Sequence, residues 1–188
     1  NRADAMSHIG VARDLVAGSG DPHLHYWAAM ALGIAARTRG RPEDAMANLH
    51  DALSLAEAAD NPFRRSSALY QLSVLQRELR NAPEALAASL AAYRFAEAAK
   101  CAYAMVNARM AESAVMELLD RPARELAAMQ EALAIARSSR STTAEAKALI
   151  NLADIRLRRK EFSEAVNLSR SASSLAQSLG DSGLAATS

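Results

Sequence analysis

The stretch from Asn151 to Gly180, NLADIRLRRKEFSEAVNLSRSASSLAQSLG, holds two segments of helical periodicity that meet at a short polar turn. The turn is residues 158–162, RRKEF. Small residues flank it, with Ala153 before it and Ala165 and Ala172 after it. The same plan recurs forty residues upstream, and again forty residues before that. The stretch therefore predicts one helical hairpin that is copied several times along the chain.

Columns of small residues at the same spacing support the repeat. Three alanine columns are Ala12, Ala52, Ala92, Ala132 and Ala172; Ala28, Ala68, Ala108 and Ala148; and Ala56, Ala96, Ala136 and Ala176. A fourth column is Gly33, Ser73, Ser113 and Ala153. The alternative is a generic alanine-rich helical bundle, in which one such column could arise by chance. Several columns at one fixed period, without gaps, favour the repeat.

Composition indicates an all-helical chain and excludes several classes of partner. Hydrophobic residues make up 51% of the 188 residues and aromatics only 4%, with 7 Gly and 5 Pro, so alanine, leucine and methionine must supply most of the buried surface. The net charge is +1, which is no electrostatic footprint for nucleic acid or an anionic membrane. No apolar run reaches the roughly 20 residues that a membrane-spanning helix needs.

Cellular location follows from weaker signals. Cys101 is the only cysteine, so an internal disulfide is impossible and a reducing compartment fits. The chain begins at Asn1 with neither a methionine nor a signal peptide. We therefore expect a cytoplasmic protein, and we interpret the chain as a piece of a longer one.

The repeat predicts nine helices and no strand, arranged as one solenoid over residues 1–188. We expect a half repeat at 1–22, full repeats at 23–62, 63–102, 103–142 and 143–182, and the start of another at 183–188. The paired helices are expected at about 23–38 and 43–59, 63–79 and 83–99, 102–119 and 122–138, and 143–159 and 163–179. The glycine-containing segment at 180–183 is expected to break the chain.

The columns resemble the tetratricopeptide repeat (TPR) family in a forty-residue form. The small residues on the first helices are Gly33, Ser73, Ser113 and Ala153, and those on the second helices include Ala45, Ala85, Ala165 and the column from Ala52 to Ala172. Glu112 and Glu125 depart from the pattern, so the third repeat is expected to be the least regular. The resemblance implies an all-α, right-handed α-solenoid of antiparallel hairpins, with the first helices lining a concave face.

The family's pattern of concave positions then indicates a groove for a protein or peptide segment. The candidate groove residues are Trp27, Met30, Ile34, Arg37, Tyr70, Gln71, Val74, Arg77, Asn107, Met110, Lys147, Asn151 and Asp154. Aromatic and arginine side chains are frequent interface anchors, and methionine adapts to varied partners. The alternative is that Met30, Tyr70 and Met110 only pack between the helical layers.

No pattern of residues indicates catalysis, a cofactor or a metal. His23 and His25 are two residues apart and do not share a helix face, and the sequence lacks GxSxG, P-loop and HExxH motifs. A basic run at 156–160, RLRRK, ends a predicted helix, where cations interact favourably with the helix dipole. The other interpretation of this run is a docking patch for an acidic partner.

Alanine- and arginine-rich arrays of this kind are similar to the TPR regions of bacterial signalling proteins with GGDEF-type diguanylate cyclase or LuxR-type outputs. The resemblance implies a non-catalytic binding module in the sensory or regulatory region of such a protein. The alternative is a structural scaffold that self-associates through its exposed ends or holds the subunits of an assembly.

Overall fold

The structure, a computed structural model, describes the backbone of residues 18–185 and the side chains of residues 18–178. These residues form eight helices and no strand. The helices are α1 (Pro22–Thr38), α2 (Pro42–Ala58), α3 (Pro62–Glu78), α4 (Ala82–Ala98), α5 (Ala102–Leu118), α6 (Pro122–Ser138), α7 (Thr142–Arg158) and α8 (Phe162–Ala185). The eight helices start within one residue of the predicted positions. The ninth predicted helix, at residues 1–18, lies outside the described residues.

A proline or a polar cap begins most of these helices. Pro22, Pro42, Pro62 and Pro122 stand at helix starts, where the missing N–H costs nothing because it would have no intrahelical partner. The side chain of Asp21 accepts a hydrogen bond from the His23 amide at 2.8 Å. Caps of this kind satisfy backbone donors that the first helical turn leaves unpaired.

Each turn between the helices uses one residue in the left-handed backbone region, and these residues recur every twenty positions. They are Gly40, Asp60, Arg80, Lys100, Asp120, Arg140 and Lys160. A left-handed conformation costs a non-glycine residue about 1–2 kcal/mol. Hydrogen bonds such as those from Asn61 N to Ala56 O (3.1 Å) and from Arg121 N to Met116 O (2.9 Å) compensate, because they satisfy carbonyls at the helix end.

The described helices fall into two compact units, residues 1–99 and 100–188. In unit 1, α1 pairs with α2 and α3 pairs with α4, and α3 also packs against α1 and α2. In unit 2, the hairpins are α5–α6 and α7–α8, and α7 also packs against α5 and α6. Each unit has its own apolar core, which includes Leu49 and Leu72 in unit 1 and Met129 and Leu149 in unit 2.

The alanine columns lie where helices cross closely. Ala52, Ala92 and Ala132 are fully buried, and Ala172 is 3% exposed, as the column predicts. Another column is buried at Ala56, Ala96 and Ala136 but exposed at Ala176. Small side chains allow helix axes to approach to the short end of the usual 8–10 Å range.

The third repeat is as regular as its neighbours, which corrects the expectation from Glu112 and Glu125. Its helices α5 and α6 have 17 residues each, like α3 and α4. Ser113 Oγ donates to the Glu125 carbonyl at 2.9 Å, and Ser73 Oγ makes the same bond to the Ala85 carbonyl at 2.8 Å. The backbone is therefore unchanged, and the larger glutamate is accommodated by its side-chain contacts.

The last helix corrects a second expectation. Helix α8 runs for 24 residues through the predicted break at 180–183 and includes Leu184 and Ala185. Glycine inside a helix costs only about 1 kcal/mol relative to alanine, so Gly180 and Gly183 weaken the helix without ending it.

Candidate functional site

The first helices of unit 1, α1 and α3, lie side by side and run parallel. Tyr26 on α1 donates its hydroxyl hydrogen to the Arg64 carbonyl at 3.1 Å. Near the other end of the pair, Arg37 Nη1 lies 2.5 Å from Glu78 Oε1. Between these contacts the two helices carry the predicted residues Trp27, Met30, Ile34, Tyr70, Gln71, Val74 and Arg77. We call this surface of α1 and α3 the unit 1 face.

Trp27 is the large exposed side chain of the unit 1 face. Its exposed fraction is 51%, and its ring packs edge-on against Tyr26, with centroids 5.0 Å apart and planes at 75°. Tyr26 is fully buried, and the Arg64 guanidinium lies 5.0 Å from its ring centroid. Trp27 is therefore an exposed aromatic ring packed against a buried one, which lowers the side-chain entropy that Trp27 would lose when a partner binds.

Met30 is buried, in contrast to the groove prediction. Its exposed fraction is 6%, and it belongs to the unit 1 core. The equivalent positions of the other hairpins differ in exposure: Tyr70 and Met110 are half-buried, and Ile150 is 59% exposed. Helical position alone therefore does not decide whether this side chain packs inward or faces solvent.

The remaining predicted residues of the unit 1 face are half-buried. Ile34, Gln71 and Val74 provide mixed apolar and amide surface beside Trp27 and Tyr70. Arg37 is already paired with Glu78. Arg77 forms no ion pair with any described residue, so its charge is available to a carboxylate or carbonyl of a partner.

In unit 2 the first helices α5 and α7 bring together a cluster that the groove prediction found only in part. Lys147 Nζ donates to Tyr103 Oη at 2.9 Å and lies 5.0 Å from the centroid of that ring. The hydrogen bond from Lys147, followed by one from Asn107, lowers the pKa of Tyr103. Asn151 donates from Nδ2 to the Lys147 carbonyl at 2.9 Å.

Tyr103 was missed because it precedes the four positions that the family's pattern projects. A signal existed, since Tyr103 lies four residues before Asn107 and forty after the aromatic Phe63. Of the other predicted residues, Met110 is half-buried against the unit 2 core, and Asp154 Oδ2 lies 3.1 Å from Arg158 Nε. Lys147 and Asp154 therefore already have partners within unit 2.

Two of the four cations of the basic run at 156–160 form ion pairs inside unit 2. Arg158 reaches Glu117 at 3.2 Å, Glu125 at 2.6 Å and Asp154 at 3.1 Å. Arg156 pairs with Glu161 and with Glu164. Burial tends to lower the pKa of Arg158, but the hydrogen bond and charge of Glu125, assisted by Glu117, outweigh it and raise the pKa. Arg159 and Lys160 are exposed and form no ion pair with a described residue, so about half of the positive charge of the run stays available to an acidic partner.

The described part of the chain has neither a cluster of metal ligands nor a membrane-spanning helix. Among residues 18–178, no group of three His, Cys, Asp or Glu side chains is placed to hold a metal ion. His25 Nε2 instead lies 2.6 Å from the Ser19 carbonyl, and His23 contacts Arg64. None of the eight helices combines the length and the hydropathy that crossing a bilayer requires.

Tyr26 gives a testable pH dependence. Its burial raises its pKa to about 12, against smaller opposing effects of Ser67 and Arg64. The pKa of Tyr26 in the folded chain lies above the unfolded value near 10. The free energy of unfolding is therefore unaffected by Tyr26 ionisation below pH 10, and it falls as the pH rises towards 12 because only the unfolded state readily loses the proton. The loss amounts to roughly 2–3 kcal/mol at about 1.4 kcal/mol per pKa unit.

Tyr26→Phe is the control for this prediction. This variant loses the hydrogen bond from the hydroxyl to the Arg64 carbonyl, which costs about 0.5–1.5 kcal/mol of stability at pH 8. Phenylalanine does not ionise, however, so the variant does not lose stability through this residue at alkaline pH. The two stability curves should therefore converge or cross between pH 10 and 12. Guanidinium unfolding followed by the fluorescence of Trp27, the only tryptophan, measures them. Curves that stay parallel over this range would contradict the assignment.

Three solved structures with this fold place the chain among helical-repeat proteins. A Rap protein complexed with competence and sporulation factor superposes with a TM-score of 0.82 at 14% identity, over 93% of this chain and 50% of that one. Aspartyl phosphate phosphatase F from Bacillus subtilis gives 0.76 at 13% identity, over 87% and 43%. The STAND protein with a tetratricopeptide repeat sensor from Pyrococcus horikoshii gives 0.69 at 16% identity, over 84% and 25%.

These similarities establish the fold of the chain as that of the TPR-like α-solenoids, an all-α repeat of antiparallel hairpins. The chain spans half or less of the length of each of these three proteins. No protein-family model matches the sequence. No curated protein sequence matches it either.

Proposed function

We propose that this chain is a non-catalytic protein- or peptide-binding TPR module, with the unit 1 face as its principal contact surface. The observation that carries the proposal is Trp27, whose ring is half exposed and packs edge-on against the buried Tyr26. Tyr70 adds a second aromatic ring on α3, and Arg77 adds a charge that forms no ion pair with a described residue. Rigid aromatic anchors beside an arginine are typical of interface hot spots.

Unit 2 carries polar contacts of its own for a partner. The Tyr103 hydroxyl is within hydrogen-bonding reach of both the Lys147 ammonium group and the Asn107 amide. Such a cluster offers both donors and acceptors to a peptide backbone. Arg37, Asn151 and Asp154 would act mainly by positioning their neighbours, because each has a partner within its own unit.

We further propose that the module is the sensory or regulatory region of a larger, cytoplasmic bacterial signalling protein, such as a diguanylate cyclase or a LuxR-type regulator. Two of the similar structures support this context by their descriptions. One is a signal-transduction ATPase whose repeats are a sensor, and the other is a Rap protein solved with competence and sporulation factor. Sequencing the gene beyond Ser188 tests it: a GGDEF or helix-turn-helix segment supports the proposal, and an unrelated domain contradicts it.

Binding through the unit 1 face is tested by substitution. Tyr70→Ala and Trp27→Ala are each expected to weaken the binding of a captured partner by about 1–2 kcal/mol, or roughly 5–30-fold in affinity. Partners would be captured from a lysate of the source cells, identified by mass spectrometry and titrated in purified form. Leu90→Ala is the matched control, since Leu90 is an exposed apolar residue (37%) on the second helix α4 of the same unit. Equal affinities for all four proteins would contradict the assignment.

A structural scaffold is the second candidate, and exposed apolar residues on α8 favour it. Phe162 and Val166 are 60% and 52% exposed. The residue equivalent to Val166 in the first hairpin is Met46, whose sulfur lies 3.6 Å from Gln76 Nε2 of the next hairpin. A second copy of the chain could cover the α8 surface in the same way. Sedimentation at increasing concentration should then show association that Phe162→Ser abolishes, whereas a strict monomer would exclude this function.

A further inference from the structure

Unit 2 contains an open surface cleft of about 740 Å³ between the second helices α6 and α8, over the start of α7. Its apolar lining includes Leu149, which is 1% exposed, and the half-buried Leu175. Its polar rim includes Arg137 from α6 and Arg170 and Ser174 from α8. The volume is within the usual range of ligand-binding clefts. We call it the α6–α8 cavity.

The equivalent position in unit 1 is filled by a side chain. There Arg65 lies over the Phe95 ring, 5.4 Å from its centroid, and its Nη2 donates to the Glu57 carbonyl at 3.0 Å. The same guanidinium pairs with Asp60 at 3.0 Å. Eighty residues later, glutamate and leucine replace this arginine and phenylalanine, at positions 145 and 175. The stacked pair that occupies the space in unit 1 is thus missing from unit 2.

Three positions of the α8 wall have also changed from apolar to polar, whereas Ser174 stands where α4 has Arg94. The α4 residues Ala87, Leu90 and Ala91 correspond to the α8 residues Asn167, Arg170 and Ser171. Arg170 forms no ion pair within the described residues. Arg137 Nε lies 2.9 Å from Glu145 Oε1, a contact that leaves the two terminal nitrogens of Arg137 for another acceptor. The cavity therefore presents two guanidinium groups against one carboxylate, above an apolar floor.

We propose that the α6–α8 cavity binds an acidic peptide segment, with a glutamate or aspartate side chain between Arg137 and Arg170 and a neighbouring apolar side chain on the leucine floor. One ligand carboxylate balances the net positive charge of these three side chains. Arginine forms strong, directional hydrogen bonds to carboxylates. The hydroxyl of Ser174 provides a further donor. This site lies on the second helices, so it is separate from the unit 1 face and does not depend on the function proposed for it.

The site is tested with short peptides and the whole chain, by titration followed in ¹H–¹⁵N NMR spectra. The probe is the peptide Ala-Leu-Glu-Leu-Ala, acetylated and amidated at its ends, and its counterpart carries Gln in place of Glu. Saturable shifts are expected at residues 137 and 167–175. The Gln peptide is expected to bind about 10-fold more weakly, the loss typical of one charge-assisted hydrogen bond.

Variants of the cavity separate this site from nonspecific attraction. Arg170→Gln is expected to lower the affinity for the Glu peptide about 10-fold. Arg94 is an exposed arginine on α4, so Arg94→Gln should not change this affinity. The quadruple variant Arg137→Glu, Arg140→Asp, Glu145→Arg and Leu175→Phe recreates the filled arrangement of unit 1, including the ion pair with Asp60, and should abolish binding. Its helical circular dichroism should match that of the wild type.

Several outcomes would overturn the proposal. These are equal affinity for the Glu and Gln peptides, no effect of Arg170→Gln, or an equal effect of Arg94→Gln. Binding of Ala-Leu-Leu-Ala only when its chain terminus is a free carboxylate would overturn the side-chain assignment. Tighter binding of inorganic phosphate at the same residues would indicate an anion site instead of a peptide site.

Discussion

Arg158→Met is expected to destabilise unit 2 by about 2–3 kcal/mol, because it leaves the carboxylate of Glu125 buried without its cationic partner. The Glu125 side chain is 8% exposed, and its Oε1 lies 2.6 Å from Arg158 Nη2. Removing one member of a fully buried pair costs about 3–5 kcal/mol. The Arg158 side chain is 39% exposed, so water screens part of this effect. Urea unfolding followed by circular dichroism, with hydrogen exchange in α5–α7, measures the loss.

Substitution of the other member of the pair, Glu125, should destabilise the protein far less. This difference between the two single substitutions is the sharper test. Glu125→Ala restores the residue type found at Ala45, Ala85 and Ala165, so we expect a change within about 1 kcal/mol of the wild type in either direction. In that background, Arg158→Met should cost much less than it does alone. The difference would be a coupling energy of about 1–3 kcal/mol.

Arg159→Met is the matched control for this cycle. Arg159 is exposed, follows Arg158 directly and forms no ion pair with a described residue. Substitution at such a site is expected to change stability by no more than about 0.5 kcal/mol. If Arg158→Met and Arg159→Met had equal effects, the link between the third and fourth hairpins would not depend on this ion pair.

The Glu125–Arg158 pair illustrates which features the sequence could predict. Helix positions were predictable because each hairpin repeats the same spacing and because buried alanines recur at a fixed period. Glu125 was recognised as a departure from the alanine column, yet its partner lies 33 residues away. A column describes one position at a time, so it cannot identify a pair formed between two columns. The predicted irregularity was therefore wrong, and two of the four cations of the basic run proved to be paired.

The candidate site shows the same limit. Trp27 and Tyr70 were predicted from helical position, and the structure leaves both at least partly accessible. Met30 shares that position with Tyr70 but is buried, because packing against the neighbouring helices differs between hairpins. The Tyr103–Lys147 contact joins residues 44 apart, four more than the repeat period. Contacts between neighbouring repeats are thus set by side-chain length and packing, which periodicity does not encode.

A close helix crossing in the first hairpin gives the last prediction. A Cβ atom added at Gly33 would lie 2.7 Å from Leu49 Cγ and 2.8 Å from Leu49 Cδ2. Leu49 is fully buried, so its side chain has little room to move away. Overpacking costs about 1–3 kcal/mol, and replacing a helical glycine with alanine returns up to about 1 kcal/mol. Gly33→Ala should therefore give a net loss of about 1–2 kcal/mol in unfolding followed by Trp27 fluorescence.

A second substitution decides whether this loss comes from contact with Leu49. Leu49→Ala alone should cost about 2–5 kcal/mol, because it removes a core side chain. In that background, however, Gly33→Ala no longer meets the leucine, so it should be neutral or stabilising. Gly20→Ala is the control, since nothing lies within 4 Å of a Cβ atom there, and it should change stability little. If Gly33→Ala stabilised the chain in both backgrounds, backbone propensity would outweigh packing at this crossing, and the small residues of this column would not be required by the approach of the two helices.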